Sequence, residues 1–339
     1  MNDIRQSDFT IFAHVYYPDI WKDILVDLDG VIQQPFNLVI TRPVGSRPVA
    51  RPTSSYLRFA TELEVENRGR DILPFFKALK QPLPSFDVGL KLHTKRSPHR
   101  GDGDGWRRFL IGSLLQVESS GRLSGHKLLE LEPSIGLIAP RAHLLPLGGR
   151  TSINEEVIVK TLRRIEQPTE KRDAVIRPQF RENEEIDHPY AWQKSGDAES
   201  ALPLTDGRFP AGSMFWFRRV ALRKLVEIDF DDLFVRESGQ LDGTAAHAFE
   251  RLFALIVERE GLIAASMENV EPILSRGGAQ LSRRELNELI GETLARDNPF
   301  ALPLADLWRR YPALLKCAHA IYAKLPKSTV RMLRRSIGR

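Results

Sequence analysis

ENRGRDILPFFKALKQPLPSFDVGLKLHTKRSPHRGDGDGW, residues 66–106, carries two clusters of charged residues, each placed where a predicted strand gives way to a loop or helix. The first is Asn67, Arg68, Gly69, Arg70 and Asp71, between LEVE and an apolar helix pattern. The second is Lys91, His93, Thr94, Lys95 and Arg96, after the apolar run Phe86 to Leu92. Open α/β sheets bind ligands in the crevice beyond the carboxyl ends of their strands, so both clusters fall where an anion-handling pocket is expected.

The flanking sequence supplies the sheet. FTIFAHVYY (9–17) is apolar, β-branched and aromatic, and suits a buried first strand that Pro18-Asp19 breaks. IWKDILVDL reads as a helix, FNLVIT (36–41) as a strand, and the proline-rich segment 42–55 as a loop. Ser54 or Ser55 is placed to cap a helix over YLRFATEL, ahead of the strand LEVE. ILPFFKALK (72–80) is a helix with Pro74 tolerated in its first turn, and FDVGLKL is the next strand. Strands and helices alternating at this spacing predict a mixed, mostly parallel α/β sheet flanked by helices.

Further on, WRRFLIGSLLQ and residues 125–132 are helical, and IGLIAP (135–140) is a strand. Residues 141–209 are polar and irregular apart from a short helix over 155–164, a pattern expected of a lid or binding region or of a partly disordered segment. FPAGSMFWFR (209–218) reads as one strand and VALRKLVEI as a helix. LDGTAAHAFERLFALIVEREG (241–261) is a helix with Asp242 at its N-cap and Gly261 at its C-cap. The organisation expected is one domain over 1–275, with halves 1–140 and 141–275, and a basic helical extension over 276–339.

Composition sets limits on function. An apolar fraction of 42% and a charged fraction of 27% are ordinary globular values. No run approaches the roughly 18 apolar residues of a spanning helix. The N-terminus shows no signal-peptide pattern, and Cys317 is the only cysteine, which together predict a cytoplasmic protein without disulfides or a cysteine zinc site. A net charge of +5 asks for an anionic partner. No nucleic-acid-binding signature accompanies the charge, so nucleic acid is not the partner expected.

Four motifs in order, NRGRD with PFF, LKLHTKRSPHRGDGDGWRR, FPAGSMFWFR and GQLDGTAAHAFERLF, resemble the rhamnan synthesis F family. The resemblance covers roughly residues 9–260. It implies a GT-A-like glycosyltransferase of bacterial cell-surface polysaccharide or O-antigen assembly. The activity implied is transfer of a rhamnosyl or related deoxyhexosyl group from a nucleotide sugar, dTDP-rhamnose being the donor expected, to a glycan or lipid-linked acceptor. By the same resemblance, His14 and Tyr16 touch base and ribose, and Asn67, Arg68, Arg70 and Asp71 flank the nucleotide. Lys91, His93, Lys95 and Arg96 face the diphosphate.

One departure stands out. Where such enzymes carry an Asp-x-Asp motif for Mg or Mn, this chain reads Lys91-Leu92-His93, so its own cations are expected to neutralise the leaving group. Asp102 and Asp104 keep the spacing, in a glycine-rich loop, and are the only metal candidates. Asp242 is the candidate general base, with a plain N-cap as its competing role, and Glu237 is the alternative base. Gly212 and Ser213 allow close backbone approach, and Trp216 and His247 are candidate sugar or acceptor contacts. Asp71 is also placed to cap the helix that follows it. The tail 320–339 alternates apolar anchors with cations, which suits an anionic membrane surface at the inner face of the cell membrane. A second function class remains open, a catalytically inactive sugar- or nucleotide-binding partner in a glycan-assembly complex.

Overall fold

The fold rests on strands buried on both faces. In a computed structural model, residues 9–94, 96, 102–147, 154–166, 207–236, 243–277, 281–294 and 298–300, with 314, 317 and 325, are described. The strands of the central sheet are β1 (Phe9–His14), β2 (Phe36–Pro43), β3 (Leu57–Val65), β4 (Val88–His93), β5 (Ile135–Ala139), β8 (Phe215–Arg218) and β9 (Ile263–Ser266). Their spatial order is β3-β2-β1-β4-β8-β5-β9. All neighbours are parallel except β8, which runs antiparallel between β4 and β5. A further antiparallel pair joins β6 (Leu144–Pro146) to β7 (Arg208–Pro210). The mixed, mostly parallel α/β sheet read from the sequence is the one found.

Both faces are covered, which is why the strands are continuous apolar runs. On one face Phe9, Ile11 and Ala13 meet α1 (Pro18–Val31), α3 (Gly103–Leu114) and α4 (Ser124–Leu131). On the other, Phe12, Val39, Phe215 and Phe217 meet α2 (Ile72–Leu79), α5 (Glu155–Glu166) and α7 (Ala245–Arg259). A short α6 (Arg223–Glu227) follows a 3-10 turn. α8 (Met267–Ser275) and α9 (Arg283–Thr293) close the first face, burying Ile273, Leu286, Leu289 and Ile290. Asn269 Nδ2 donates to Ile290 O at 3.2 Å and to Thr293 Oγ1 at 2.8 Å, fastening α8 to α9. α9 lies past the boundary read near 275, yet it is seated on the core of the sheet. No helix among the described residues is long and apolar enough to cross a membrane. The tail 320–339, read as a membrane contact, lies almost wholly outside the described residues.

Three local readings are corrected. The segment read as a helix over YLRFATEL followed by a short strand is the single edge strand β3. Leu57, Phe59, Thr61, Leu63 and Val65 alternate with Arg58, Ala60, Glu62 and Glu64, and that two-residue period prevails. Arg42 of β2 holds the outer positions by pairing with Glu62 and with Glu64 at 2.8 Å. FPAGSMFWFR is two strands of different sheets, because Gly212 (φ +90°) and Ser213 (φ +49°) turn the chain through left-handed backbone. Finally, α7 is capped by Thr244, in a capping box with His247, instead of by Asp242.

The antiparallel β8 fixes the site. Its first residue, Phe215, pairs with Lys91 near the carboxyl end of β4, so the turn before β8 lies beside the strand ends. Close packing keeps it there: a Cβ on Gly89 of β4 would lie 2.3 Å from Phe217 Cζ, in a ring that is fully buried. Gly89→Ala is expected to cost about 1–3 kcal/mol through overpacking, read as a lower denaturant midpoint with an unchanged slope.

Candidate functional site

Register brings three polar residues into a row. His14, the last residue of β1, pairs with Thr41 of β2 on one side and His93 of β4 on the other. Lys91, two positions before His93, shares that face of the sheet. The row stands at the carboxyl ends of three parallel strands, below the loop that follows β3.

Lys91 is the centre of the arrangement. Its side chain is 1% exposed, and its ammonium donates to Asp71 Oδ2, to Ser213 O at 2.7 Å and to Ser213 Oγ at 3.2 Å. An ammonium has three protons, and these acceptors account for them. Ser213 Oγ donates in turn to Asp71 Oδ2. The rings of Phe75 and Phe215 flank the ammonium, with centroids at 5.4 and 5.9 Å. Burial opposes ionisation of Asp71, but the fields of His93 and Lys91 and the hydrogen bonds from Lys91 and Ser213 outweigh it. They hold its carboxyl well below the usual carboxylate range.

The turn before β8 is tied from further directions. His93 Nε2 donates to Gly212 O at 2.9 Å. The Gly212 N–H donates to Glu250 Oε1 of α7 at 2.7 Å. His14 Nδ1 lies 3.0 Å from Thr41 Oγ1. Burial lowers the His14 pKa to about 4, with Asp71 opposing and Lys91 reinforcing the shift, so its imidazole is neutral at pH 7. A narrow recess opens here, lined by His14, Thr41, Asp71 and Lys91 with Phe12 and Phe75. Its cavity volume of about 10 Å³ is room for about one water molecule.

The residues chosen from sequence part into three groups. His14, Asp71, Lys91, His93, Gly212 and Ser213 come together as described. Tyr16 is 44% exposed beside them, and its N–H and that of Tyr17 both donate to Thr94 Oγ1, at 2.8 and 2.9 Å. Asn67 and Arg70 are exposed on the loop after β3, with Gly69 (φ +69°) and Arg70 (φ +53°) both left-handed. Arg96 pairs with Asp19 and lies 4.7 Å from the Tyr17 ring centroid.

A second group is committed elsewhere. Arg68 Nη1 donates to Asp231 O at 3.0 Å and Phe234 O at 3.1 Å, so it pins the 3-10 turn at 231–233. Trp216, expected as a sugar contact, is fully buried on the opposite face, its Nε1 donating to Leu114 O at 2.8 Å. His247, expected near the acceptor, is buried, and its Nδ1 lies 2.8 Å from Thr244 Oγ1 in the α7 cap. Asp71 occupies the N-cap position of α2 without capping it, since its carboxylate turns to Lys91 and Ser213. Asp104 lies in the first turn of α3 instead of a loop and accepts from Arg107 at 2.7 Å; Asp102 precedes that turn. Among the described residues no three His, Cys, Asp or Glu side chains cluster to hold a metal ion.

The third group, Lys95, Glu237 and Asp242, lies outside the described residues. Sequence reasoning missed Thr41 and the contact that Glu250 makes; it named Thr94 in the second cluster without giving it a role. The strand-end rule would have found Thr41, the last residue of FNLVIT. Nothing in the sequence marks Glu250 as the partner of a backbone N–H thirty-eight positions away.

Comparison with known proteins agrees with the family read from the motifs. The family model of rhamnan synthesis protein F matches residues 2–147, which span β1 to β6 and hold the row of strand-end residues. The FPAGSMFWFR and GQLDGTAAHAFERLF motifs lie beyond that match. The uncharacterized protein WxcX of Xanthomonas campestris pv. campestris, in each of two strains, is 31% identical over 289 residues, 82% of this chain. The chain spans about a third of the length of these curated relatives, 35%. No solved structure matches.

The buried pair gives a stability test. Lys91→Met leaves Asp71 an uncompensated buried anion and is expected to cost about 3–5 kcal/mol, whereas Lys91→Met with Asp71→Asn recovers much of the loss. Chemical denaturation of the single and double variants checks this, and a double variant no better than the single contradicts it. A second test uses pH. Because folding lowers the His14 pKa from 6.5 to about 4, the unfolded chain binds the proton first. Stability is therefore retained above about pH 6.5 and lost by about 3 kcal/mol as pH falls to 4. His126, also lowered to about 4 by burial, adds a loss in the same window. In His14→Gln the slope of stability against pH between 4 and 6.5 is expected to be roughly halved.

Proposed function

With residues 2–147 matching rhamnan synthesis protein F as premise, we propose that this chain is a GT-A-like glycosyltransferase unit of bacterial polysaccharide synthesis. It moves a rhamnosyl or related deoxyhexosyl group from a nucleotide sugar to a growing cell-surface polysaccharide or O-antigen, with inversion. The observation that carries the reading is the polar cluster at the carboxyl ends of β1, β2 and β4, built within the matched residues and completed by the turn before β8. Such a crevice is where open α/β sheets take nucleotide-bearing ligands.

The chemistry needs a base for the acceptor hydroxyl, positioned substrates and charge neutralisation on the leaving diphosphate. Asp242 is the base proposed, with Glu237 the alternative. The chain on either side of them supports the choice. Arg236 bridges Arg68 of the NRGRD loop, and Thr244 is anchored by the α7 capping box. Neutralisation is reassigned. Lys91 carries no net charge to offer, because Asp71 balances it inside the protein. The task is assigned to the exposed Arg70 and to Arg96, whose pairing with Asp19 is at the surface, with Lys95, its neighbour in sequence, the remaining candidate. The donor set at the strand ends is imidazole, hydroxyl and one carboxylate already bonded to Lys91 and Ser213. That does not fit the oxygen cage of Mg or Mn, so no step is routed through a metal.

The internal neutralisation of Lys91 also favours a second reading, a partner subunit that binds a sugar nucleotide without turning it over. Titration with dTDP, UDP and GDP, each with and without Mg or Mn, tests the donor class. Tightest binding of dTDP, independent of metal, is expected. Asp242→Ala is expected to lower turnover of dTDP-rhamnose at least a hundredfold without changing nucleotide affinity. Turnover that survives this change removes Asp242 as the base. Nucleotide binding with no turnover of any nucleotide sugar selects the partner subunit.

A further inference from the structure

The turn Ala211–Ser213 has two consecutive residues in left-handed backbone, Gly212 at φ +90° and Ser213 at φ +49°. Ser213 has a Cβ, so that conformation costs free energy and persists only when neighbours over-determine it. Four groups do so. Lys91 takes Ser213 O and Oγ, Asp71 takes the Ser213 hydroxyl proton, and His93 takes Gly212 O. These three come from the strand ends and the loop after β3. The fourth is Glu250, on the opposite side of the turn, whose Oε1 accepts the Gly212 N–H at 2.7 Å.

The two peptide groups that meet at Gly212 Cα are thus held by different elements: the N–H belongs to the Ala211–Gly212 peptide and is held by α7, and the carbonyl belongs to the Gly212–Ser213 peptide and is held by β4. Releasing the N–H frees the first peptide and the φ torsion of Gly212, and a change in that torsion moves the carbonyl that fixes the His93 imidazole. It also moves Ser213, which supplies two of the three acceptors of Lys91. α7 is itself fastened to the chain before the turn: the Arg251 guanidinium lies 5.8 Å from the Phe209 ring centroid, and Arg251 Nη1 donates to His247 O at 2.8 Å. One carboxylate of α7 therefore sets the orientation of the polar groups at the strand ends.

We propose that Glu250 is a positioning residue: by holding the Gly212 N–H it fixes the left-handed turn against which His93 and Lys91 are oriented, and so shapes the nucleotide-sugar site from the α7 side. The last clause rests on the function proposed above; the first does not. It makes the site dependent on the placement of α7, the helix that follows the segment carrying Glu237 and Asp242.

The test compares Glu250→Gln, which keeps an acceptor oxygen, with Glu250→Ala, which removes it. Two readouts are used on the full chain. One is the ring ¹⁵N resonance of His93 in selectively labelled, ligand-free protein, assigned through His93→Gln. The other is the affinity for whichever of dTDP, UDP or GDP the wild-type protein binds. Glu250→Ala is expected to shift the His93 resonance and weaken the nucleotide at least tenfold, and Glu250→Gln to restore both to near wild-type. An unshifted His93 resonance in Glu250→Ala overturns the proposal, and a shifted resonance with unchanged affinity overturns its extension to the nucleotide site. If Glu250→Ala does not fold, Glu250→Asp, which keeps the charge but shortens the reach, is expected to shift His93 in the same direction. If the wild-type protein binds none of the nucleotides, the functional reading falls, and the His93 resonance still decides the role of Glu250.

Discussion

A fully buried ammonium has to find three acceptors and a counter-charge within the protein, and at Lys91 that requirement ties the fold together. Left unpaired at 1% exposure it would cost several kcal/mol. Its partners come from the loop after β3 and from the turn before β8, segments 142 residues apart in sequence. A parallel strand beside β4 would enter from the amino end of the sheet and carry its preceding loop to the far edge. Antiparallel β8 instead starts beside the carboxyl end of β4, so its leading turn can serve Lys91 and His93. The topology and the charge satisfy each other.

The apolar surroundings strengthen this pairing. Phe12, Phe75, Phe215, Phe217 and Phe253 form a contiguous aromatic cluster, with Phe12 and Phe75 at 5.6 Å and Phe215 and Phe253 at 4.7 Å between centroids. Such packing excludes water and lowers the local dielectric, so attraction between Lys91 and Asp71 is less screened than at a surface. The same burial keeps His14 neutral and leaves the recess with hydrogen-bonding groups but no net charge of its own. Arg70, exposed on the loop after β3, and the Arg96–Asp19 pair stand at the edge of this region. A neutral floor bordered by exposed charged side chains is the electrostatic layout.

Much of this was legible in the sequence, and the limits have physical reasons. Strand ends are local signals: a run of apolar residues stops where His14, Lys91 and His93 begin, and the parallel α/β pattern predicts what those ends do. Period errors account for β3, whose Leu57, Phe59 and Leu63 were read at helical spacing although their neighbours alternate. The FPAGSMFWFR run hid a turn because aromatic residues on both sides suggested continuity, while Gly212 alone was too weak a sign. Trp216 was misplaced by one position of pleat: alternation sends it to the face of Phe9 and His126, away from Phe215 and Phe217. The partnerships of Lys91 and Glu250 were invisible because a hydrogen bond across 122 or 38 residues leaves no local pattern.

Stability alone does not account for the network. Replacing a buried ion pair with apolar groups of similar volume is commonly neutral or stabilising, so a methionine at 91 with an apolar partner at 71 would serve the core as well. What such a core could not do is orient a left-handed turn, since dispersion contacts have no preferred direction for a carbonyl. The ammonium, the imidazole and the Glu250 carboxylate each specify an angle as well as a distance at Gly212 and Ser213. The buried charges are therefore better understood as devices for aiming the backbone at the strand ends than as a source of stability. On that view the cationic character of the second sequence cluster divides by position. Its first lysine is held inside the protein by Asp71 and Ser213, and Arg96, past the strand end, pairs with Asp19 at the surface.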